Sequence, residues 1–337
     1  MTAVATDALA LARSEVRSGL RHCLDRLDPR MRLVCGYHLG LWDVEGRPTQ
    51  GGGKGVRPEL VLLTTRAVGA DPCTAVPAAV AVELVHNFSL VHDDVMDGDT
   101  RRRHQPTVWS VFGVSTAILA GDALLGLAEE VLAATRSPNV GVAVRALSAT
   151  ARRLIAGQVA DLAFEERHDV DLAECLRMEA DKTGALLACA CSLGPVLADA
   201  PAALATALAD FGERVGVAFQ LQDDLLGVWG EPAVTGKPVL SDLRARKKSA
   251  PVVAALTSGT TAGVRLGRLY AQPGALSEED LVEAASLVEA AGGRDWALHR
   301  ATEELDAALG VLAESVADPT LADPLRDLAH RLAGRDH

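Results

Sequence analysis

Apolar residues recur every three or four positions along most of this chain, which is the spacing that predicts amphipathic or buried α-helices. Two helices are predicted between Asp7 and Leu41, separated by a turn at Asp28 and Pro29. Further helices are predicted at 59–68, 76–94, 116–134, 139–164 and 171–193. Pro195 and Pro201 are expected to delimit a turn before the next helix, and helices separated by glycine-containing turns continue to the C-terminus.

Composition supports the same fold class. Aromatic residues make up only 3% of the chain, and Ala, Leu and Val dominate. The strict alternation of apolar and polar residues that marks β-strands is hard to find. The sequence therefore predicts an all-α protein. Because no linker is long enough to divide it, residues 1–337 are expected to form a single domain.

The charge balance limits the classes of partner. The formal net charge is −12, which argues against binding nucleic acid or an anionic membrane surface. The six cysteines show no CxxC pair and read as thiols of a reduced protein. Neither a signal peptide nor an integral membrane segment is evident, so a cytoplasmic protein is expected.

The most informative stretch is the end of the helix predicted at 76–94. Its apolar run finishes in Asp93, Asp94 and Asp97. Asp93 and Asp97 are one helical turn apart, so their carboxylates should share a face, with Asp94 rotated by roughly 100°. Neighbouring carboxylates repel each other, and a hard divalent cation relieves that repulsion. Arginines 101–103 follow, and this stretch predicts a metal-bridged diphosphate site. Taken alone, it also fits a solvated surface cluster.

A second acidic pair favours the metal site. Asp223 and Asp224 follow an apolar run within FQLQDDLLG, and a loop at 230–249 rich in lysine comes next. A glycine-rich loop at 45–58 carries Lys54 and Arg57 and could approach a ligand closely. Two such acidic pairs, each trailed by basic residues, indicate that both serve one cavity.

Taken together, these motifs resemble the trans-polyprenyl diphosphate synthases, the family of the farnesyl and geranylgeranyl diphosphate synthases. The resemblance rests on the acidic motifs, GGK-x-x-RP at 52–58, KTGAL at 182–186 and GK-x-x-x-x-DL at 236–243. It implies an isoprenoid-synthase-type helical bundle around a central apolar cavity, usually homodimeric. The implied activity is the Mg²⁺-dependent, head-to-tail condensation of isopentenyl diphosphate with an allylic diphosphate.

The resemblance also implies roles for individual residues. The ligands of three magnesium ions correspond to Asp93, Asp97 and Asp223. The positions that bind isopentenyl diphosphate correspond to Lys54, Arg57, His86 and Arg103. Those that grip the allylic diphosphate correspond to Arg102, Lys182, Lys237 and Lys247. The polar groups beside the developing carbocation correspond to Thr183 and Gln220.

Three positions depart from the family pattern. Gly55 replaces an arginine of the first basic element, and His104 replaces a glycine after the paired arginines. Gly227 stands where the second acidic motif usually ends in aspartate, which puts the role of that third aspartate in doubt. We expect weaker binding of isopentenyl diphosphate rather than loss of activity.

Product length in this family depends on bulk just before the first acidic motif. Phe88, five residues before Asp93, is large, and Ser89 is small. That combination resembles geranylgeranyl synthases, with farnesyl diphosphate as the alternative product. Two other readings share the fold: a class I terpene cyclase, which would need a different second metal motif, and a non-catalytic regulatory subunit, which would usually lack an acidic motif.

Overall fold

Helices follow one another through the computed structural model, which describes residues 2–49, 53, 55–102, 105–230 and 239–334. The sixteen described α-helices are α1 (Thr2–Leu24), α2 (Pro29–His38), α3 (Val56–Ala67), α4 (Val76–Met96), α5 (Val108–Phe112), α6 (Val114–Ala133), α7 (Val140–Glu166), α8 (Leu172–Glu179), α9 (Ala185–Leu197), α10 (Ala202–Trp229), α11 (Ser241–Arg244), α12 (Ala250–Thr257), α13 (Thr261–Tyr270), α14 (Glu278–Ala290), α15 (Gly293–Ser315) and α16 (Pro319–Ala333). A 3₁₀ turn, Pro72–Ala75, precedes α4, and a π-helical turn, Ala180–Gly184, separates α8 from α9. The all-α prediction is confirmed.

One small hairpin interrupts the helices. Strand β1 (Arg101–Arg102) pairs antiparallel with β2 (Gln105–Pro106), and Arg102 lies opposite Gln105. The sequence pattern did not predict this hairpin because two-residue strands show no alternation. It places part of the arginine cluster directly after the first acidic motif.

The chain divides into two compact units. The first comprises Met1–Arg152, Leu186–Gly212 and Leu312–Leu325, and the second comprises Arg153–Ala185, Glu213–Val311 and Arg326–His337. The single domain expected from the sequence stays a prediction.

Helix α4 forms the core of the first unit. It packs against α1, α3 and α6, and most of its residues are buried. Small side chains at Ala78, Ala79 and Ala81, all fully buried, permit the close approach of these neighbours. The stretch Pro72–Met96 is long and apolar enough to cross a membrane by composition alone, but 67% of its most apolar window is buried within the protein. That burial is what a core helix shows.

Two apolar clusters form the core of the second unit. Helix α12 packs against α8, α13 and α14. On one side it contributes Val252 and Ala255 to a cluster with Leu266 and Leu281, and on the other Val253 to a cluster with Leu221. The short helix α12 is therefore buried on both sides.

Local signals in the sequence account for several helix ends. Asp28 caps α2 by accepting hydrogen bonds from the backbone N–H groups of Arg30 and Met31, which confirms the predicted break. Ser277 and Asp280 form a reciprocal capping box at the start of α14.

Two predictions between residues 171 and 201 are wrong. The single helix at 171–193 is interrupted by the π-helical turn. Pro195 does not end α9, which continues to Leu197. Proline usually stops a helix because it lacks an N–H and crowds the carbonyl four residues back. Here the chain stays helical around it, and the backbone N–H groups of Ala198 and Ala200 donate to the carbonyls of Gly194 and Pro195 at 2.9 and 3.0 Å.

Candidate active site

The first acidic motif lies at the C-terminal end of α4. Asp97 is the C-cap residue, and its backbone N–H donates to the carbonyl of Asp93 at 2.8 Å. The two residues are therefore one helical turn apart, as predicted. Asp93 is half-buried and Asp97 is exposed, whereas Asp94 is 1% exposed. Two of the three carboxylates thus face away from the core, and the third points into it.

The buried carboxylate of Asp94 binds the hairpin. Nε of Arg102 donates to Oδ1 of Asp94 at 2.6 Å. Burial raises the pKa of Asp94 to about 6, against the opposing effect of the Arg102 guanidinium. Both residues line a cavity of about 190 Å³ with Tyr37 and His38. The resemblance assigns Arg102 to binding of the allylic diphosphate. Its bond to Asp94 also attaches β1 to the end of α4.

Other residues predicted to bind isopentenyl diphosphate are only partly described. Arg57 lies half-buried in the first turn of α3, and His86 lies half-buried on α4. Lys54 and Arg103 lie outside the described residues, as does the departure at His104. Gly55 is the N-cap residue of α3 and has φ of +62°, a left-handed conformation that favours glycine over the arginine of the family pattern.

The predicted length-determining residues lie one helical turn before the acidic motif. Phe88 is 5% exposed, and its ring packs edge-on against His92 with 5.2 Å between centroids. Ser89 is half-buried, and its hydroxyl donates to the carbonyl of His86 at 2.9 Å. The aromatic ring is therefore fixed in the core of the first unit.

In the second unit, Lys182 lies on the π-helical turn. Its Nζ is 2.5 Å from Oδ2 of Asp161, a residue of α7. The turn approaches α7 closely at Gly157: a Cβ built there would lie 2.5 Å from the backbone nitrogen of Lys182. A π-helical turn adds a residue to one turn of helix and is common at functional sites.

Thr183 and Gln220, both assigned from the resemblance, are hydrogen-bonded to each other. The Thr183 hydroxyl donates to Oε1 of Gln220 at 2.7 Å, and Nε2 of Gln220 donates to Oδ1 of Asp224 at 2.9 Å. Oδ2 of Asp224 accepts from the backbone N–H of Ala250 at 2.9 Å. These bonds fix the orientation of the Gln220 amide, because its donor and acceptor ends have different partners.

Glu179 is a buried carboxyl group that interacts with Asp224 of this chain of hydrogen bonds. It is 1% exposed, and burial together with the Asp224 carboxylate raises its pKa well above the ordinary value. A neutral Glu179 avoids placing two negative charges side by side in the core. Neither Glu179 nor Asp224 was among the predicted site residues.

In the second unit, the positively charged side chain of Lys247 interacts with several acidic residues. Burial lowers its pKa, but the surrounding carboxylates outweigh that effect and the net pKa is raised. Those carboxylates are Asp224, Asp242, Asp161 and Asp223. Lys237, predicted to act beside Lys247, lies outside the described residues. Sequence reasoning missed Asp161 and Asp242 as site residues; their only signals were an acidic residue within an apolar helix and the final aspartate of the GK-x-x-x-x-DL motif.

The donor set fits magnesium. Among the described residues, no three Asp, Glu, His or Cys side chains converge as a ready-made metal site. Mg²⁺ is usually held by one or two carboxylates plus phosphate oxygens rather than by a complete protein cage. Asp93 and Asp97 supply two carboxylates, a number that Mg²⁺ commonly binds together with phosphate oxygens. These carboxylates are suited to a metal that arrives with a diphosphate.

Comparisons with known proteins agree with this chemistry. Residues 46–288 match the family model described as polyprenyl synthetase. A (2E,6E)-farnesyl diphosphate synthase of Mycobacterium tuberculosis is 49% identical over 99% of this chain and 94% of that protein. A geranylgeranyl diphosphate synthase of the same species is 44% identical over 93% of this chain and 90% of that protein.

Solved structures give the same result. A polyprenyl synthetase from Streptomyces coelicolor superposes with a TM-score of 0.91 at 47% identity, covering 97% of this chain and 99% of that one. A geranylgeranyl pyrophosphate synthetase from Geoglobus acetivorans gives a TM-score of 0.83 at 33% identity, covering 98% and 99%. The match to the family model and these full-length similarities show that the chain belongs to the polyprenyl synthetase family.

Proposed function

We propose that this protein catalyses the magnesium-dependent, head-to-tail condensation of isopentenyl diphosphate with an allylic diphosphate to give a short-chain prenyl diphosphate. The observation that carries the proposal is the acidic pair Asp93 and Asp97, one helical turn apart at the end of a largely apolar, mostly buried helix. The family membership and the two synthases of M. tuberculosis support the same reaction class.

The metal ligands in this proposal are Asp93, Asp97 and Asp223, which would hold three magnesium ions against the allylic diphosphate. When bound, those ions supply positive charge that stabilises the departing diphosphate. The side chains proposed to neutralise the same group are Arg102, Lys182, Lys237 and Lys247. Those proposed to bind isopentenyl diphosphate are Lys54, Arg57, His86 and Arg103.

The chain itself orients the reacting groups. The Thr183 hydroxyl and the Gln220 amide, locked by their mutual hydrogen bond, present oxygen dipoles to the positive charge that develops on the allylic carbon. A carbocation would react with water, so the site must exclude it. We propose that side chains of Ala, Leu and Val, which dominate the chain, line the site. The released diphosphate can accept the final proton, so no strong protein base is required.

For the product we propose geranylgeranyl diphosphate, because Phe88 is the single aromatic residue before the motif and Ser89 is small. Farnesyl diphosphate is the second candidate, favoured by the 49% identical farnesyl diphosphate synthase. Both products are made by the same chemistry and differ only in when elongation stops.

We further propose a cytoplasmic homodimer that binds no nucleic acid. Helix α6 exposes the apolar residues Val114, Ile118 and Leu119, whose exposed fractions are 47%, 45% and 58%. Adjacent exposed apolar residues of this kind are what a second copy would cover. Light scattering coupled to gel filtration, on the wild type and an Ile118→Glu variant, measures whether this surface holds a dimer.

Incubation with magnesium, labelled isopentenyl diphosphate and one primer at a time tests the proposed reaction. The primers are dimethylallyl, geranyl and farnesyl diphosphate, and the dephosphorylated products are sized by chromatography. We expect a twenty-carbon alcohol, or a fifteen-carbon alcohol if farnesyl diphosphate is the product. Asp93→Asn should abolish elongation, and exposed Asp306→Asn should not. A terpene cyclase would instead release hydrocarbon, and a regulatory subunit would elongate no primer; either result contradicts the proposal.

A further inference from the structure

Another cavity, of about 250 Å³, lies entirely within the second unit. It is formed by the loop that joins α7 to α8 and by the ends of α12 and α13. Among the described residues, none that the resemblance assigns to a substrate lines it. At roughly 30 Å³ for each water-sized group, the cavity has room for about eight non-hydrogen atoms. It is therefore large enough for a small organic ligand.

Lys248 is a buried cation in the wall of this cavity. The residue is 7% exposed, and its Nζ donates one hydrogen bond, to the backbone carbonyl of Glu165 at 3.1 Å. An ammonium group has three N–H donors, and in the described part of the chain no carboxylate forms an ion pair with this one. Burial lowers the pKa of Lys248, although the Glu165 carboxylate opposes that effect. The ammonium group therefore has donors available to a ligand.

Tyr270 is a second polar residue in the cavity wall. It ends α13 and is 5% exposed, and its hydroxyl oxygen is buried with no hydrogen-bond partner among the described residues. Nη1 of Arg246 donates to the backbone carbonyls of Tyr270 and Gln272 at 3.4 and 2.6 Å, which fixes this end of the helix. A buried hydroxyl without a partner is costly and calls for an explanation. A ligand that accepts a hydrogen bond would supply one.

Apolar residues form another part of the wall. Val170, Leu256 and Ala271 line the cavity. Val170 is 7% exposed and belongs to the apolar cluster that contains Leu221. A hydrocarbon group bound here would leave water for an apolar environment, which is favourable. The ligand should therefore combine an apolar body with an acceptor group.

The charges around the cavity favour a ligand with a single negative charge. Arg167 is already paired, because it donates to Asp169 at 2.9 Å and to Glu174 at 2.8 Å. Lys248 is thus the lining lysine or arginine, among the residues described, that has no carboxylate partner. Asp169 and Asp171 are exposed, line the same cavity and would repel further negative charge. A carboxylate fits these charges better than a phosphate or a diphosphate does.

We propose that this cavity binds a small apolar monocarboxylate. Its carboxylate accepts hydrogen bonds from the Lys248 ammonium and the Tyr270 hydroxyl, and its hydrocarbon chain lies against Val170, Leu256 and Ala271. Hexanoate matches the number of non-hydrogen atoms that the volume allows. The site uses neither magnesium nor diphosphate, so it does not rest on the proposed function.

Titration with carboxyl-labelled hexanoate, followed by NMR, measures the dissociation constant. Lys248→Met removes the ammonium group and keeps an apolar stem, and Tyr270→Phe removes only the hydroxyl. Arg21→Met is the matched control, because it removes one positive charge from an exposed position of α1 in the first unit. Each titration is run with and without magnesium and inorganic pyrophosphate, which compete for the proposed active site. Circular dichroism and the melting temperature show that each variant is folded.

We expect Lys248→Met to weaken hexanoate binding by about 10-fold or more, because hydrogen bonds to charged groups are among the strongest. Tyr270→Phe should weaken it by about threefold to tenfold without lowering the melting temperature, since the hydroxyl has no protein partner to lose. Arg21→Met should bind as the wild type does, and pyrophosphate should change no affinity. Hexanol, which has no charge, and hexyl phosphate, which has a second one, should both bind more weakly than hexanoate.

Three results would overturn the inference. They are a wild type that does not bind hexanoate, wild-type affinity in a folded Lys248→Met, and displacement of hexanoate by magnesium pyrophosphate, which would place it in the substrate site. Tighter binding of hexyl phosphate than of hexanoate would show that the assignment to a monocarboxylate is wrong. None of these results depends on prenyl transfer, so failure here is distinct from failure of the proposed function.

Discussion

Lys182 and Asp161 form an ion pair in which Nζ of the lysine lies 2.5 Å from Oδ2 of the aspartate. The pair joins the π-helical turn to α7. Both side chains are largely buried, with 24% and 17% of their surface exposed. Asp161 therefore holds the ammonium group of Lys182 in one orientation.

Removing the lysine should destabilise the protein in a pH-dependent way. Burial raises the pKa of Asp161, but the positive charges of Lys182 and Lys247 outweigh that effect. The net pKa therefore lies below its ordinary value of 3.8. At pH values above its ordinary pKa, a carboxyl group whose pKa is lowered by folding stabilises the folded state. That contribution is lost as the pH falls through the pKa that the group has in the folded protein. Lys182→Met should cost roughly 1.5–3 kcal/mol of unfolding free energy at pH 7.

Urea denaturation of Lys182→Met and wild type at pH 7 and at about pH 3.5 checks this prediction. The difference between the two proteins should shrink at the lower pH, because the carboxyl group is then closer to neutral. An equal difference at both pH values would show that lost packing, and not the ion pair, causes the destabilisation.

Gly157→Ala should impair both activity and stability, because the added Cβ meets backbone atoms. The added Cβ would lie 2.5 Å from the backbone nitrogen and 2.8 Å from Cα of Lys182, so the π-helical turn must move away. We expect kcat/KM to fall by at least about 10-fold, because small displacements of positioned groups are costly in catalysis.

Gly310→Ala provides the matched control for this glycine. Gly310 is exposed on α15, with no atom within 4 Å of an added Cβ. It should gain roughly 0.5–1 kcal/mol of stability from helix propensity and leave kcat/KM unchanged. Wild-type kinetics in Gly157→Ala would contradict the view that this contact positions Lys182.

Phe88→Ala should lengthen the product. Loss of the buried ring opens space within the core of the first unit, beside the helix along which the growing chain is expected to run. Chromatography of the dephosphorylated alcohols should show species longer than those of the wild type. Both Phe88→Ala and a Phe211→Ala control remove a buried ring and should lose roughly 3–5 kcal/mol. Only Phe88→Ala should change chain length; an unchanged product spectrum would refute its assignment.

Cys73 should be the thiol that alkylating agents modify first in the native protein. Five of the six cysteines are buried, whereas Cys73 is partly exposed. Burial raises the pKa of Cys23 to about 11 and that of Cys35 to about 12, so thiolate is scarce there at pH 8. Brief treatment with iodoacetamide followed by peptide mass mapping should find the label at Cys73. Equal labelling of a second site would show that the core opens readily.

The helical periodicity was enough to predict the fold class and most helices, because burial of one face repeats every turn. The spacing of Asp93 and Asp97 likewise predicted their shared helical turn. Thr183 and Gln220 were both named by the resemblance, and their roles stay predictions. These features depend on local spacing or on motifs that occur as recognisable strings.

What the sequence did not predict depends on contacts between distant segments. Asp161 of α7 meets Lys182 of the π-helical turn, and Asp242 of α11 meets Gly227 of α10. The hairpin that contains Arg102 is stabilised by a buried carboxylate eight residues earlier. Neither periodicity nor composition encodes which distant side chain fills a given space.

The π-helical turn at Ala180–Gly184 makes the polar residues it carries sensitive to chain length. The extra residue in that turn changes the direction, about the helix axis, in which the side chains of α8 project relative to those of α9. Deleting a single residue there would restore a continuous α-helix. Lys182 and Thr183 would nevertheless rotate by about 100° relative to α9. A lineage descended from this enzyme could therefore lose its chemistry through one three-nucleotide deletion while keeping its fold.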